Sequence, residues 1–246
     1  MSDSAEEEIR SEEFRGKRIA AVLHRAGPGP RPIVVMAHGF CSSKIGPSRN
    51  FVVLARELAR AGVSTFRFDQ PGSGDSQGLF DDSSFVEWID AIEHFARRCA
   101  GDGSPVALLG QSMGGGAAMV AAARLGDSIR ALALWSAGPE APAGDGDDEW
   151  VEEQGQRVRA EFWREASSID SLGAYRGLAV PVHFVFGTDD HLIPLVAVRA
   201  VEAARKPGDV VRVVEGLAHS AWPEPHRAQI LRETREFLVR ALSGAR

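Results

Sequence analysis

The chain has 246 residues, 44% of them hydrophobic, with 34 acidic against 28 basic side chains and a formal net charge of −6. That length suits a single α/β domain whose core needs neither disulfide nor metal, and the acidic balance disfavours nucleic acid, whose phosphates favour a basic face. No run approaches the roughly 18 consecutive apolar residues of a membrane span, "MSDSAEEEIRSEE" lacks the apolar core of a secretory signal, and two cysteines, Cys41 and Cys99, make no disulfide framework, so a reduced cytoplasm is expected.

Residues 1–8 read as a disordered acidic tail. "RIAAVLHR" (18–25) reads as a strand, and "IVVMAHG" (33–39) as one buried on both faces of a parallel sheet. "NFVVLARELARAG" (50–62) has helical spacing and ends at Gly62, and "VSTFRFD" (63–69) is the next strand. A helix capped by serine follows over 83–99, then the strand "PVALLG" (105–110), a small-residue helix, and the strand "IRALALWSA" (129–137). Alternation resumes with strand 180–187, a helix near 195–205, strand 209–216 and a final helix. Such repetition predicts an α/β fold: a mostly parallel sheet flanked by helices on both faces, formed by residues 9–137 and 179–246. Residues 138–178 interrupt it with a Gly/Pro/Asp-rich loop and a charged, helix-prone stretch, expected to form a small helical lid.

Ligands of such sheets bind beyond the carboxyl ends of the strands, and three segments there carry the residue types of nucleophilic catalysis. Gly110-Gln111-Ser112-Met113-Gly114 is a G-x-S-x-G between a strand and a helix. Its glycines permit a tight turn that exposes the serine hydroxyl and leaves backbone N–H groups at a helix N-terminus, suited to a developing oxyanion. A serine hydroxyl needs a base, and the base an orienting acid. "GTDDHLIP" (187–194) offers Asp189 and Asp190 as adjacent candidates for the acid, and "GLAHSAW" (216–222) offers His219 as the base. The order Ser…Asp…His is the one this kind of fold uses.

With "HGF" at 38–40 and "FDQPGSGDS" at 68–76, five motifs stand in order. From about residue 14 onward the chain resembles the α/β-hydrolase superfamily. Within it, "HGFCSSK" and "FVVLARELARAGVSTFRFDQPGSGDSQG" are most similar to compact carboxylesterases, among them the feruloyl (cinnamoyl) esterases and the serine aminopeptidase-like hydrolases. The resemblance implies Ser112 as nucleophile, His219 as base and Asp190 as acid, with Asp189 as runner-up and Glu140, just beyond strand 129–137, as third choice, since some relatives carry the acid there. It implies an oxyanion hole from the Phe40 and Met113 amides, with His38 supporting the loop rather than moving protons. Asp69 and Asp75 are expected to brace the turn after their strand, in which Ser73 stands where many relatives have histidine.

The expected activity is hydrolysis of a carboxylic ester with a small, apolar or aromatic acyl group through an acyl-enzyme. Alternatives are a biosynthetic thioesterase, amidase or cyclase on the same triad, and a non-catalytic ligand-binding homologue. Cys41, Trp135, Trp150, Trp163 and Trp222 are candidate pocket residues, with docking of the lid onto the body as the plainer role of the lid aromatics Trp150, Phe162 and Trp163. The seven histidines show no metal-ligand spacing and "GQSMGGG" lacks the partners of a phosphate loop, so neither metal nor cofactor is expected. The expected partner is a small-molecule ester, with no nucleic acid or membrane, bound by a monomer or homodimer.

Overall fold

Strands and helices follow one another as the apolar runs predict. The computed structural model describes residues 6–138, 149–153 and 155–244. In chain order they form β1 (Glu6–Phe14), β2 (Lys17–Arg25), β3 (Ile33–Ala37), α1 (Asn50–Arg60), β4 (Ser64–Phe68), α2 (Phe85–Cys99), β5 (Val106–Gln111), α3 (Met113–Leu125) and β6 (Ile129–Trp135). There follow β7 (Trp150–Glu153), β8 (Gln156–Arg159), α4 (Ala160–Ser168), α5 (Ser171–Arg176), β9 (Val182–Gly187), α6 (Leu195–Ala203), β10 (Val210–Val214) and α7 (His226–Ser243).

Eight strands form one sheet in the order β1-β2-β4-β3-β5-β6-β9-β10. The β1–β2 and β2–β4 pairs are antiparallel, and the pairs from β4 to β10 are parallel. β3 shows why the centre is covered on both sides. All five of its residues are buried, Ile33, Val35 and Ala37 in one apolar cluster and Val34 and Met36 in the other. The first cluster takes in α2, α3, α4 and α6; the second takes in α1 and α7. α2 starts where Ser84 accepts a hydrogen bond from the Glu87 amide at 3.1 Å.

Two expectations are corrected. Residues 6–8 belong to a strand, not to a tail: Glu6 to Phe14 pair in register with Arg25 to Lys17. Arg15 (φ 50°) and Gly16 (φ 75°) make the two-residue turn, and Glu7 and Glu8 are neutralised by Arg56 and by Arg10 with Arg25. The insertion is also not purely helical. It contains the β7–β8 hairpin before α4 and α5, with Gly155 in the turn at φ 73° and the Arg157 and Arg159 guanidinium groups 4.3 and 4.5 Å from the Trp150 ring centre. Glu140 lies outside the described residues, as does most of the Gly/Pro/Asp-rich loop. Among the described residues, no helix is long and apolar enough to cross a membrane.

Candidate active site

β5 carries Ser112 out of the sheet, and α3 begins at the next residue. Ser112 has φ 54° and ψ −127°, a backbone state that is sparsely populated for a residue with a side chain and costs about 1–3 kcal/mol. It is held there by its amide, which donates to the Trp135 carbonyl at 2.9 Å, and by its own carbonyl, which accepts from the Gly115 and Gly116 amides at 2.8 and 3.2 Å. The turn also needs close approach of main chains. A Cβ on Gly114 would overlap the His38 carbonyl oxygen, and one on Gly39 would lie 2.8 Å from the Ser112 Cβ.

The loops after β9 and β10 bring the other two groups to the serine. His219 Nε2 is 2.9 Å from Ser112 Oγ, and His219 Nδ1 is 2.9 and 2.8 Å from the two Asp190 carboxylate oxygens. Asp190 is buried and also accepts from the Leu192 and Ile193 amides at 2.9 and 3.0 Å. Burial would raise its carboxyl, but the His219 hydrogen bond and charge, with those two amides, hold it below its ordinary value. Asp189, the runner-up, is exposed and instead accepts from the Thr188 hydroxyl at 3.1 Å. An ionised acceptor on Nδ1 fixes the tautomer that leaves Nε2 free to face Ser112 Oγ as a proton acceptor.

Phe40 follows the Gly39 turn over the serine, and Met113 is the first residue of α3, where amides have no intrahelical partner. Among the described residues neither amide has a backbone acceptor. His38 is a brace. Its Nε2 accepts from the Gln70 amide at 2.9 Å, so its Nδ1 donates to the Gly39 carbonyl at 2.8 Å, and burial holds the ring in the neutral state. Asp69 accepts from the Asp75 and Lys44 amides at 2.9 and 2.6 Å, which ties the turn after β4 to the loop containing Phe40.

The five candidate pocket residues separate. Trp163 packs on Phe40 with ring centres 5.0 Å apart, in a group completed by Phe80 and Phe162. Cys41 stands next to Phe40, its thiol 3.7 Å from the Glu153 carbonyl; burial and the Glu153 charge push it up to about 11, so it stays protonated. Trp150 is on the outer hairpin between its two arginines. Trp135 and Trp222 do not join this group: they pack against each other at 5.1 Å in the apolar cluster with α1 and α7. The Trp135 indole donates to Thr234 of α7 at 3.0 Å, because an odd register step along β6 points it to the other face of the sheet from Leu134.

Lys44 and Arg67 hold the loop over the serine, and the motifs alone do not reveal it. The signal is the arginine inside the apolar strand "VSTFRFD", since a buried guanidinium must find acceptors. Arg67 donates to His24 at 3.0 Å and to the Lys44 carbonyl at 3.0 Å. Among the described residues, no group of three or more His, Cys, Asp or Glu side chains could hold a metal.

The sequence model of the alpha/beta hydrolase fold family matches residues 32–158, just over half of the 246-residue chain. The chain belongs to that family. A search of curated proteins finds no match. Among solved structures, it is similar to Est1E from Butyrivibrio proteoclasticus with ferulic acid bound, at 23% identity over 96% of this chain and 100% of that one, with a TM-score of 0.86. The alpha/beta hydrolase GrgF from Penicillium sp. sh18 matches at 16% identity, 97% and 99% coverage and a TM-score of 0.78. The monoacylglycerol lipase of Paleococcus ferrophilus matches at 18% identity, 91% and 99% coverage and a TM-score of 0.74. At these identities the likeness is one of fold.

Proposed function

We propose that this α/β hydrolase is a serine esterase that cleaves a carboxylic ester with a small apolar or aromatic acyl group. The observation that carries the reading is His219 bridging Ser112 Oγ and the buried Asp190 carboxylate. In the proposed reaction His219 Nε2 takes the Ser112 proton as Oγ attacks the ester carbonyl. The developing oxyanion accepts from the Phe40 and Met113 amides, which cost no reorganisation because the fold already fixes them. The imidazolium, steadied by Asp190, returns its proton to the leaving alcohol. Water then attacks the acyl-enzyme with the same base, releasing the acid and restoring Ser112.

The acyl group would lie against Phe40, Phe80 and Trp163, whose rings, backed by the fully buried Phe162, form a contiguous apolar group beside the turn over the serine. That grouping supports aromatic acyl groups, and the likeness to Est1E, with ferulic acid bound in that structure, makes an aryl acrylate the natural probe. The insertion, with β7, β8, α4 and α5, would act as the lid. The test is turnover of p-nitrophenyl esters from acetate to octanoate, beside an aryl-acrylate ester, by wild type and Ser112→Ala. Turnover is expected to fall by about 10⁶ in kcat in the variant, the magnitude seen when a triad serine is removed. Retention of wild-type turnover would reject the reading.

A further inference from the structure

Lys44 is bound from three directions. Its amide and its ammonium both reach Asp69, at 2.6 Å each, its ammonium also reaches Asp75 at 2.8 Å, and its carbonyl accepts from Arg67 at 3.0 Å. Asp69 is fully buried, and the Lys44 side chain is 12% exposed. The ammonium gives up most of its water here, and the two carboxylates more than replace it, so the side chain is held in one place. What Lys44 immobilises is the far side of the loop that begins at His38 and passes over Ser112. The near side is fixed by His38, through the Gln70 amide and the Gly39 carbonyl. Between these two anchors lie Phe40, whose amide has no backbone acceptor among the described residues, and Cys41 at φ 52°, a conformation that a side chain holds only under constraint. Both anchors end in the same turn, residues 69–75 after β4.

We propose that Lys44, clamped between Asp69 and Asp75, is a positioning residue that sets the Phe40 amide at the oxyanion and so determines the rate of acyl transfer. The proposal rests on the esterase reading of Ser112. Lys44 touches no reacting atom; its effect passes through the main chain of four residues. Misplacement of a donor by about 1 Å costs on the order of a hundredfold, and loss of one oxyanion donor about a hundredfold to a thousandfold. A ground-state ester gains little from the same amide, so KM is spared.

The test compares wild type, Lys44→Met and Lys44→Arg. Rates are normalised to the number of competent sites from the endpoint of a fluorophosphonate titration, and affinity is measured for an aryl trifluoromethyl ketone, which forms a tetrahedral alkoxide with serine. Lys44→Met is expected to lose about tenfold to a hundredfold in kcat per site and the same factor in ketone affinity, with KM within about twofold. Lys44→Arg, which keeps the charge between the two carboxylates, is expected to recover most of both. If Lys44→Met does not fold, Lys44→Gln takes its place, since its amide can still meet Asp69, and the same paired loss is expected in smaller measure. Unchanged kcat and ketone affinity per site in a folded variant overturn the proposal. So does a loss fully explained by fewer titratable sites, because that is the signature of a fold-supporting role alone. A wild type that neither reacts with fluorophosphonate nor binds the ketone fails a step earlier, at the esterase reading itself, and takes this proposal with it.

Discussion

Asp190 meets three donors in four contacts: the imidazole Nδ1 of His219 on both oxygens and the amides of Leu192 and Ile193 on one. An uncharged amide side chain at this position could fill the space but would present a donor toward Nδ1, favouring the imidazole tautomer whose Nε2 carries the proton. That imidazole cannot take the Ser112 proton. Asp190→Asn is therefore expected to fold and to lose about 10⁴ in kcat, measured on a p-nitrophenyl ester at neutral pH. The direction of the Asp190 shift makes a second point. Its carboxyl is held below the ordinary value, so it remains ionised throughout the neutral range, and loss of rate on mild acidification belongs to another group. Asp189→Asn is the matching comparison: its carboxylate is exposed and among the described residues meets only Thr188, and wild-type kcat is expected within about twofold. Both aspartates stand in the same strand-end motif, and composition cannot separate them; burial and the direction of one side chain do.

At the scale of elements, the insertion is joined to the body in two unlike ways. Apart from Val158, which is buried in the core, the hairpin uses exposed ion pairs, Arg157 with Asp81 at 3.0 Å and Arg159 with Asp82 at 3.1 Å. Exposed pairs contribute about 0–1 kcal/mol each and weaken with salt. α4 instead buries Phe162 completely, against Phe40, Phe85, Trp88 and Trp163. Phe162→Ala is therefore expected to cost about 3–5 kcal/mol in denaturant unfolding, while Arg159→Ala costs under about 1 kcal/mol. Because Phe162 also supports the Phe40 ring, kcat is expected to fall in Phe162→Ala alone. The strands of the main sheet from 33 onward and the helices between them were legible because buried parallel strands are written as continuous apolar runs. β1 was not, because its sequence, "EEEIRSEEF", is an edge strand whose Glu8 pairs with Arg10 in the same strand and Arg25 across from it, rather than one marked by apolar alternation. The hairpin at 150–159 was missed for the same reason: charged residues alternate there, and its partner interactions lie at 81–82, far away in sequence. The grouping of Ser112, Asp190 and His219 was legible because strand-end loops carried these residue types in order. Trp135 and Trp222 were misplaced because an aromatic residue near a strand end does not declare which face of the sheet it serves.

Across the whole molecule, three buried histidines bias the folded state in the same direction. His24 and His183 are each pushed down to about 4, His24 by burial and by Arg67 beside it, His183 by burial with Arg240 adding to it and Glu233 opposing. His38 is lowered by burial too. The unfolded chain takes up a proton at each near pH 6.5, while His24 and His183 in the folded chain resist until about pH 4. Between those values the unfolded state binds more protons, so stability is fully present above about pH 6.5 and declines as pH falls toward 4. Asp190 acts in the same sense but lower, because a carboxyl with a depressed value contributes above the ordinary carboxylate range and loses that contribution only as pH falls through its folded value. The two windows are thus separable. His183 lies near the start of β9, stacked on Phe237 of α7 with ring centres 5.2 Å apart, with Nδ1 buried and lacking a hydrogen-bond partner among the described residues. His183→Phe keeps an aromatic ring on Phe237 and removes one titrating group. Urea unfolding at pH 7.5, 6 and 5 is expected to give a shallower fall in stability for the variant than for wild type, with the difference accumulating below pH 6.5. Parallel curves over that range would mean that His183 takes up its proton in the folded protein as readily as in the unfolded chain, which its burial between β9 and α7 opposes.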